Sequence, residues 1–428
     1  MTQSTTAPTK RLLEAIKDGT HGTFARLATG GRPFLSAKNV MNGQLVVGED
    51  ESLISELDFN SITSNGFPRL NDVLLTIVGT IGRTCLFSSS VPMAFQRSVA
   101  FLRPNISTSP SYLSYLLQSG LFQQQLELAT KSAAQGGVYM GDVWNATCTF
   151  VTGRTAQERI ANFLDEKTAR IDALIAAKES LSHRMSELYQ AEVTYLVTRG
   201  VLPGVELKPT GHPAISEIPD GWILSRVKWA CTLVRDGTHQ PPARVEQGVP
   251  LLSVRNLQAG EFNFLPDDSK ISEADFLELN RSFDVRQNDV LLAVVGATMG
   301  KVAVVGEMDG PFHIQRSLAL LRPRLEMLSS ELLAAQIGAD FFQKFLWQNT
   351  GFSAQPGTYL GELANFPVLV PPPMERRKIV DLLKEKKVAF NTMRVHVKTH
   401  IDRLREYRSS LISAAVTGQL NIDDSGEA

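Results

Sequence analysis

NDVLLTIVG (residues 71–79) and NDVLLAVVG (residues 288–296) are one nine-residue segment written twice, with two changes and an offset of 217 positions. A run of Val, Ile and Leu closed by glycine predicts a strand buried on both faces. In each copy a turn marked by glycines follows (Gly79 and Gly82; Gly296 and Gly300), and then a second strand, RTCLF or KVAVV. Outward from this pair the duplication continues. KDGTH (17–21) returns as RDGTH (235–239), RPFLSAKN (32–39) as VPLLSVRN (249–256), and QRSVAFLRP (96–104) as QRSLALLRP (315–323). Tyr139 and Gly141 match Tyr359 and Gly361, and Ile160 and Leu164 match Ile379 and Leu383. Chance can give one such match. An ordered series at an offset of 217–220 means a duplicated unit with small loop insertions.

Each copy continues into a stretch without Pro or Gly, 157–197 and 375–416, which reads as a long helix. Leu164, Ile171, Leu174, Leu181, Met185, Leu188 and Tyr195 fall near heptad spacing in the first. Leu383, Phe390, Met393, Val397, Leu404, Tyr407 and Leu411 do so in the second. At 1.5 Å per residue each helix spans roughly 60 Å, too long for one small core, so the two are expected to pack on each other. Lys178 and Glu192 interrupt the first stripe and His400 the second. Such residues either fix register or, for Lys178, simply snorkel. The expected fold class is α+β: two repeated β-rich domains separated by two long helices. The boundaries are a first domain at 1–153, a helix at 154–200, an aperiodic linker at 201–217, a second domain at 218–372, a second helix at 373–418 and a flexible tail at 419–428.

Composition bounds the class of function. With 43% hydrophobic and 20% charged residues the chain can build cores. It has no 18-residue uncharged apolar run, so no membrane span is expected. MTQSTTAPTKR at the start lacks the apolar stretch of a secretory signal, so a cytoplasmic location is expected. Cys85, Cys148 and Cys231 lie far apart with no CxxC pair and read as buried structural thiols. The net charge of −1 gives no support to nucleic-acid binding, so any such surface must come from local clustering. Residues 1–153 are balanced, with 11 basic and 10 acidic side chains, whereas 201–370 carry 14 and 19.

Catalytic motifs are missing from the sequence. GATMGK (296–301) has its glycines one residue too close for a phosphate loop, and Val302 follows the lysine, so a hairpin turn is expected. PDDSK (266–270) places its acids side by side, which reads as a solvated turn rather than a nuclease metal site. There is no Asn/Asp-Pro-Pro-aromatic methyltransferase sequence, no HExxH and no close Cys/His cluster. No catalytic residue, metal ligand or cofactor of the chain's own is therefore expected.

DGTH, P-x-L-S-x-x-N, NDVLL, QRS…LRP and a heptad helix, all in order and all twice, resemble the specificity (S) subunit of type I restriction–modification systems. IPDGW (218–222) and AAVTGQL (414–420) are also typical wording of that family. The resemblance covers nearly the whole chain and rests on the doubled order rather than on any one motif. The first unit departs from it in lacking an IPxGW opening. The resemblance implies two target-recognition domains, each reading one half of a split double-stranded DNA site. It implies an antiparallel coiled coil that sets their spacing. It also implies two methyltransferase subunits carrying S-adenosylmethionine, and restriction subunits that use ATP and Mg. A coiled-coil scaffold whose β domains bind protein is the other reading of the same pattern.

Candidate DNA contacts follow from the repeated motifs. Thr20, His21, Thr238 and His239 can bond base edges or phosphates from a loop, although the Asp and Thr of DGTH equally cap turns. Lys38-Asn39 and Arg255-Asn256 pair a cation with an amide, able to hold a phosphate and read adenine; the alternative is a capped strand end. Arg26 and Arg244 follow each histidine in loop-like sequence and are expected to face outward. Arg83 and Lys301, after the turn glycines, are candidates for phosphate contact. Gln96-Arg97 and Gln315-Arg316 precede apolar strands; structural hydrogen bonding is the favoured reading there, and DNA contact the alternative.

Overall fold

The computed structural model describes residues 3–41, 43–130, 137–258, 260–308, 310–350 and 356–422. The chain divides into two compact units, one of residues 1–179 with 397–428, the other of residues 180–396.

The first unit is built on a four-stranded antiparallel sheet, in the order Leu13–Asp18, Val99–Pro104, Val73–Thr76, Thr84–Leu86. The NDVLL strand is inner, and Val73, Leu74 and Leu75 are fully buried, as an all-apolar run requires. Asn71 takes a left-handed conformation (φ 72°), which Asn tolerates better than most residues, and turns the chain into that strand. Asp72 behind it is buried and receives Nε and Nη2 of Arg103 at 2.9 and 2.8 Å. That ion pair ties NDVLL to LRP. A smaller sheet sets Arg32–Leu35 between Leu53–Ile54 and Ala94–Phe95, the latter pair parallel. Helices Pro110–Leu116 and Gly120–Ala129 cover the main sheet with Tyr112, Leu113, Leu116 and Phe122.

The second unit repeats this order strand for strand: Cys231–Asp236, Leu318–Pro323, Val290–Ala293, Val302–Val304. Asn288 is again left-handed (φ 71°), and Asp289 again receives Nε and Nη2 of Arg322, both at 2.8 Å. Val249–Leu252 lies between Lys270–Ile271 and His313–Ile314 as its counterpart does in the first unit. GATMGK is the turn of the hairpin joining Val290–Ala293 to Val302–Val304.

The first unit completes its fold without an IPxGW opening. Ser4–Pro8 pairs with Thr147–Val151 in the register in which Ile223–Arg226 pairs with Pro367–Val370. In the second unit Trp222 is buried, and its Nε1 donates to Glu375 at 2.9 Å. Two sequence expectations need correction. Residues 201–217 are no plain linker, since Leu207–His212 and Ile215–Pro219 form a hairpin whose Ile215 and Ile218 enter the core of the second unit. The expected tail is packed over its described part, Leu420 and Ile422 lying against the core of the first unit; residues 423–428 lie outside the described residues.

The long helices run Arg154–Arg199 and Pro373–Val416. Within the first unit Arg408 pairs with Asp172 and Arg405 with Glu179; within the second Tyr189 stacks on Phe390 and Lys386 pairs with Glu192. In each unit partners advance along one helix while they retreat along the other, so the pairing is antiparallel. Lys178 and His400, the polar interruptions of the two stripes, meet each other at 3.4 Å. Leu164, Ile171 and Leu383 are buried, and Met185, Phe390, Val397, Leu404 and Leu411 half-buried, as the heptad reading expects. Leu174, Leu181, Leu188, Tyr195, Met393 and Tyr407 are not: they stand 47–63% exposed. The inward face of the first helix instead uses Thr168, Ile175, Lys178 and Ser182, so counting apolar residues alone selects the wrong half of the stripe. Among the described residues no helix is long and apolar enough to cross a membrane.

Candidate nucleic-acid interface

Strand register gathers the repeated polar motifs at one end of each sheet. In the first unit Asp18 lies opposite Ala100, Val99 opposite Thr76, and Leu75 opposite Thr84. DGTH, QRS and the turn before Arg83 therefore share an edge. Backbone bonds lock them together: Gly19 N to Val99 O (3.0 Å), Thr20 N to Phe95 O (2.9 Å), Arg97 N to Thr20 O (3.1 Å) and Ile77 N to Ser98 O (2.9 Å). A Cβ on Gly19 would lie 2.1 Å from Gln96 O, so only glycine permits this approach. The second unit repeats each bond, with Arg316 N to Thr238 O at 3.1 Å and Gly237 pressed against Ile314 O and Gln315 O.

The histidines of DGTH project from this edge. His21 Nε2 donates to Asp18 Oδ2 at 2.6 Å and His239 Nε2 to Asp236 Oδ2 at 2.5 Å, while both rings remain about two-thirds exposed. With Nε2–H committed to the carboxylate, Nδ1 of each ring makes no hydrogen bond among the described residues. The threonines take the local role instead. Thr20 Oγ1 accepts from Gly22 N, and Thr238 Oγ1 donates to Gln240 O.

Lys38-Asn39 and Arg255-Asn256 are corrections. Asn39 is buried: its Oδ1 accepts from Ser36 N (2.9 Å), and its Nδ2 donates to Val46 O (2.9 Å) and Glu51 Oε1 (2.6 Å). Asn256 is bound in the same way to Ser253 N, Asn263 O and Asp268. Neither amide has a donor left for adenine; these residues cap the 3-10 turns at 37–39 and 254–256. Their cations are engaged as well, Lys38 by Glu51 (2.9 Å) and Arg255 by Asp267 and Asp268. Burial alone would raise the Glu51 carboxyl, yet the bonds from Lys38, Gly48 N and Asn39 hold it below its usual value. Asp268, expected in a solvated turn, is likewise a buried acceptor.

Other predicted cations remain outside such pairs. Arg26 is exposed and lies over the Phe34 ring at 4.5 Å. Arg244 and Lys301 are exposed in the equivalent unit. Arg83 is exposed and lines a groove of about 810 Å³ with Tyr115, Asp165, Arg405 and Arg408 in the first unit. The QRS arginines depart from the favoured structural reading and leave its alternative open. Arg97 and Arg316 are exposed and, among the described residues, make no side-chain hydrogen bond or ion pair. The signal that favours the alternative is that QRS is identical in both copies while lying on an edge. No cluster of three or more His, Cys, Asp or Glu suited to a metal occurs among the described residues. The three thiols are buried, and burial pushes them up to about 12 (Cys85), 11 (Cys148) and 12 (Cys231).

No protein-family model matches the chain. A curated relative, the type I restriction enzyme EcoBI specificity subunit of Escherichia coli, is 26% identical over 271 residues, which is 62% of this chain and 56% of the relative. The chain thus spans little more than half of the curated relative it matches. Among solved structures, a chain of a type I R-M system, from work on its complex assembly and conformational transition, superposes with a TM-score of 0.67 at 15% identity. It covers 97% of this chain and 98% of that one. The HsdS subunit of Thermoanaerobacter tengcongensis gives a TM-score of 0.46 at 15% identity, over 97% of each chain.

Proposed function

We propose that this chain, whose fold is that seen in a type I restriction–modification system, is the DNA specificity subunit of such a system and reads a bipartite target. The observation that supports this best is the duplicated edge. Both units hold DGTH and QRS in one backbone frame, while the loops hung on it differ: GTFARLATGG (22–31) against QPPARVEQG (240–248). A residue that is the same in both copies serves what the copies share, either the fold or the phosphate backbone. Sequence is read by groups that differ, so the base choice of each half-site belongs to the divergent loops.

In this reading the chain performs no chemistry of its own. Its partners are methyltransferase subunits that bring S-adenosylmethionine, and restriction subunits that bring ATP and Mg. The exposed apolar positions Leu181, Leu188 and Tyr195 on the first long helix offer them a seat.

Exchange of residues 1–153 for those of a homologous subunit, followed by mapping of methylated sites in cells that also express the methyltransferase, tests the assignment. One half of the target is expected to change and the other to persist. Simultaneous change of both halves, or methylation by the purified chain alone, would overturn it.

A further inference from the structure

From the geometry of the QRS turn we infer that Arg97 and Arg316 are paired, sequence-independent phosphate anchors, one for each half-site. The inference rests on the DNA-reading assignment above and adds two residues to it. Three observations carry it. First, both arginines are exposed and unpaired among the described residues, as are Arg83 and Lys301 after the hairpin turn, whereas Lys38 is held by Glu51 and Arg255 by Asp267 and Asp268. Second, the backbone that presents them is fixed from both sides. Gln96 N donates to Leu35 O at 2.8 Å and Arg97 N to Thr20 O at 3.1 Å; Gln315 N donates to Leu252 O at 2.9 Å and Arg316 N to Thr238 O at 3.1 Å. Third, each arginine stands on the same sheet edge as an exposed histidine, His21 or His239.

An arginine placed identically in two copies and unpaired among the described residues serves a ligand that both copies meet. Of what both copies would meet, the sugar–phosphate backbone shared by half-sites of different sequence is the ligand that an exposed arginine fits best. A planar guanidinium forks onto phosphate oxygens, and a fixed backbone lowers the ordering cost of doing so. By the same logic, these two residues should set register and affinity without setting base choice.

The experiment uses the full chain co-expressed with its methyltransferase partner and a random-sequence 30-base-pair duplex, with affinity measured across a salt series. Each neutralised phosphate adds about 0.9 to the slope of log K against log salt. Arg97→Ala and Arg316→Ala are each expected to lower that slope by about one, and the double variant by about two. Melting temperature and mapped methylation sequence should stay as in the wild type. Arg97→Gln and Arg316→Gln serve should either alanine variant fold poorly. An unchanged slope in the variants, with the wild type binding normally, overturns the anchor assignment alone. So does a changed base preference, which would make these residues readers. Failure of the wild-type complex to bind duplex DNA at low salt would instead overturn the functional assignment on which the anchors rest.

Discussion

Arg103 and Arg322 each fork onto a carboxylate that is almost fully buried, Asp72 and Asp289, at the entry of the strand that anchors each unit. The carboxylates hold both guanidinium groups above their usual range. Removing one partner leaves a buried charge without compensation, which costs about 3–5 kcal/mol. Arg103→Ala and Arg322→Ala should each lose stability of that order in urea denaturation, each in its own unit. His313 offers a second test at this scale. It is buried on the strand that precedes QRS, packs at 4.7 Å on Phe283, and has no partner for Nε2 among the described residues, where the first unit has Ala94. Burial holds its imidazole below the ordinary value of 6.5. The unfolded chain therefore takes up a proton before the native one does, and stability is full above pH 6.5 and declines as pH falls below it. His313→Ala should flatten that decline when unfolding is measured between pH 7.5 and 5.5; His212, also held low, by burial and then by Arg226, leaves a residual slope. A wild-type stability independent of pH over this window would refute the account.

At the scale of elements, the long helices separate what buries from what merely repeats. Ile171 and Ile401 are 6% and 8% exposed, whereas Leu181 and Leu188 are 47% and 63% exposed although all four are aliphatic. Truncating either isoleucine to alanine should cost about 2–5 kcal/mol. The same change at Leu181 or Leu188 should shift stability by no more than about 0.5 kcal/mol. It should nonetheless weaken co-purification with the methyltransferase, if that face is the seat proposed above. Thermal melts and affinity pull-downs on the four variants separate the two effects. The heptad pattern was legible because leucines recur every seventh residue. Its phase was not, because Lys178 and Ser182 occupy inward positions that an apolar count passes over.

Over the whole molecule, both long helices continue from one unit into the other, and under the function proposed above their length is expected to enter the gap between half-sites. One heptad inserted in each helix, after Ser182 and after His396, keeps the antiparallel register and adds about 10 Å of rise. At 3.4 Å per base pair that is about three base pairs. Methylation mapping should then show both half-sites intact and a gap lengthened by about that amount. An unchanged gap with full activity would mean that the helices do not set the spacing.

Sequence by itself determined the duplication, the buried inner strands, the two long helices and the edge motifs. Each of these is carried by local pattern: apolar runs, glycine punctuation, heptad spacing and exact recurrence. Only the tertiary structure decided which polar residues are free. Asn39 and Asn256 look like adenine readers until Val46 O, Asn263 O, Glu51 and Asp268 are seen to consume their amides. Arg97 and Arg316 look structural until their side chains are found without a partner among the described residues. The hairpin at 207–219 was hidden by its prolines, and the strand Ser4–Pro8 by its polar composition; both depend on distant chain, Ser4–Pro8 pairing with Thr147–Val151 and Ile218 entering a core that includes Val197, Val290 and Leu321. Hydrogen-bond capacity is spent between residues far apart in sequence, and so which groups remain for a ligand is settled only by the packed chain.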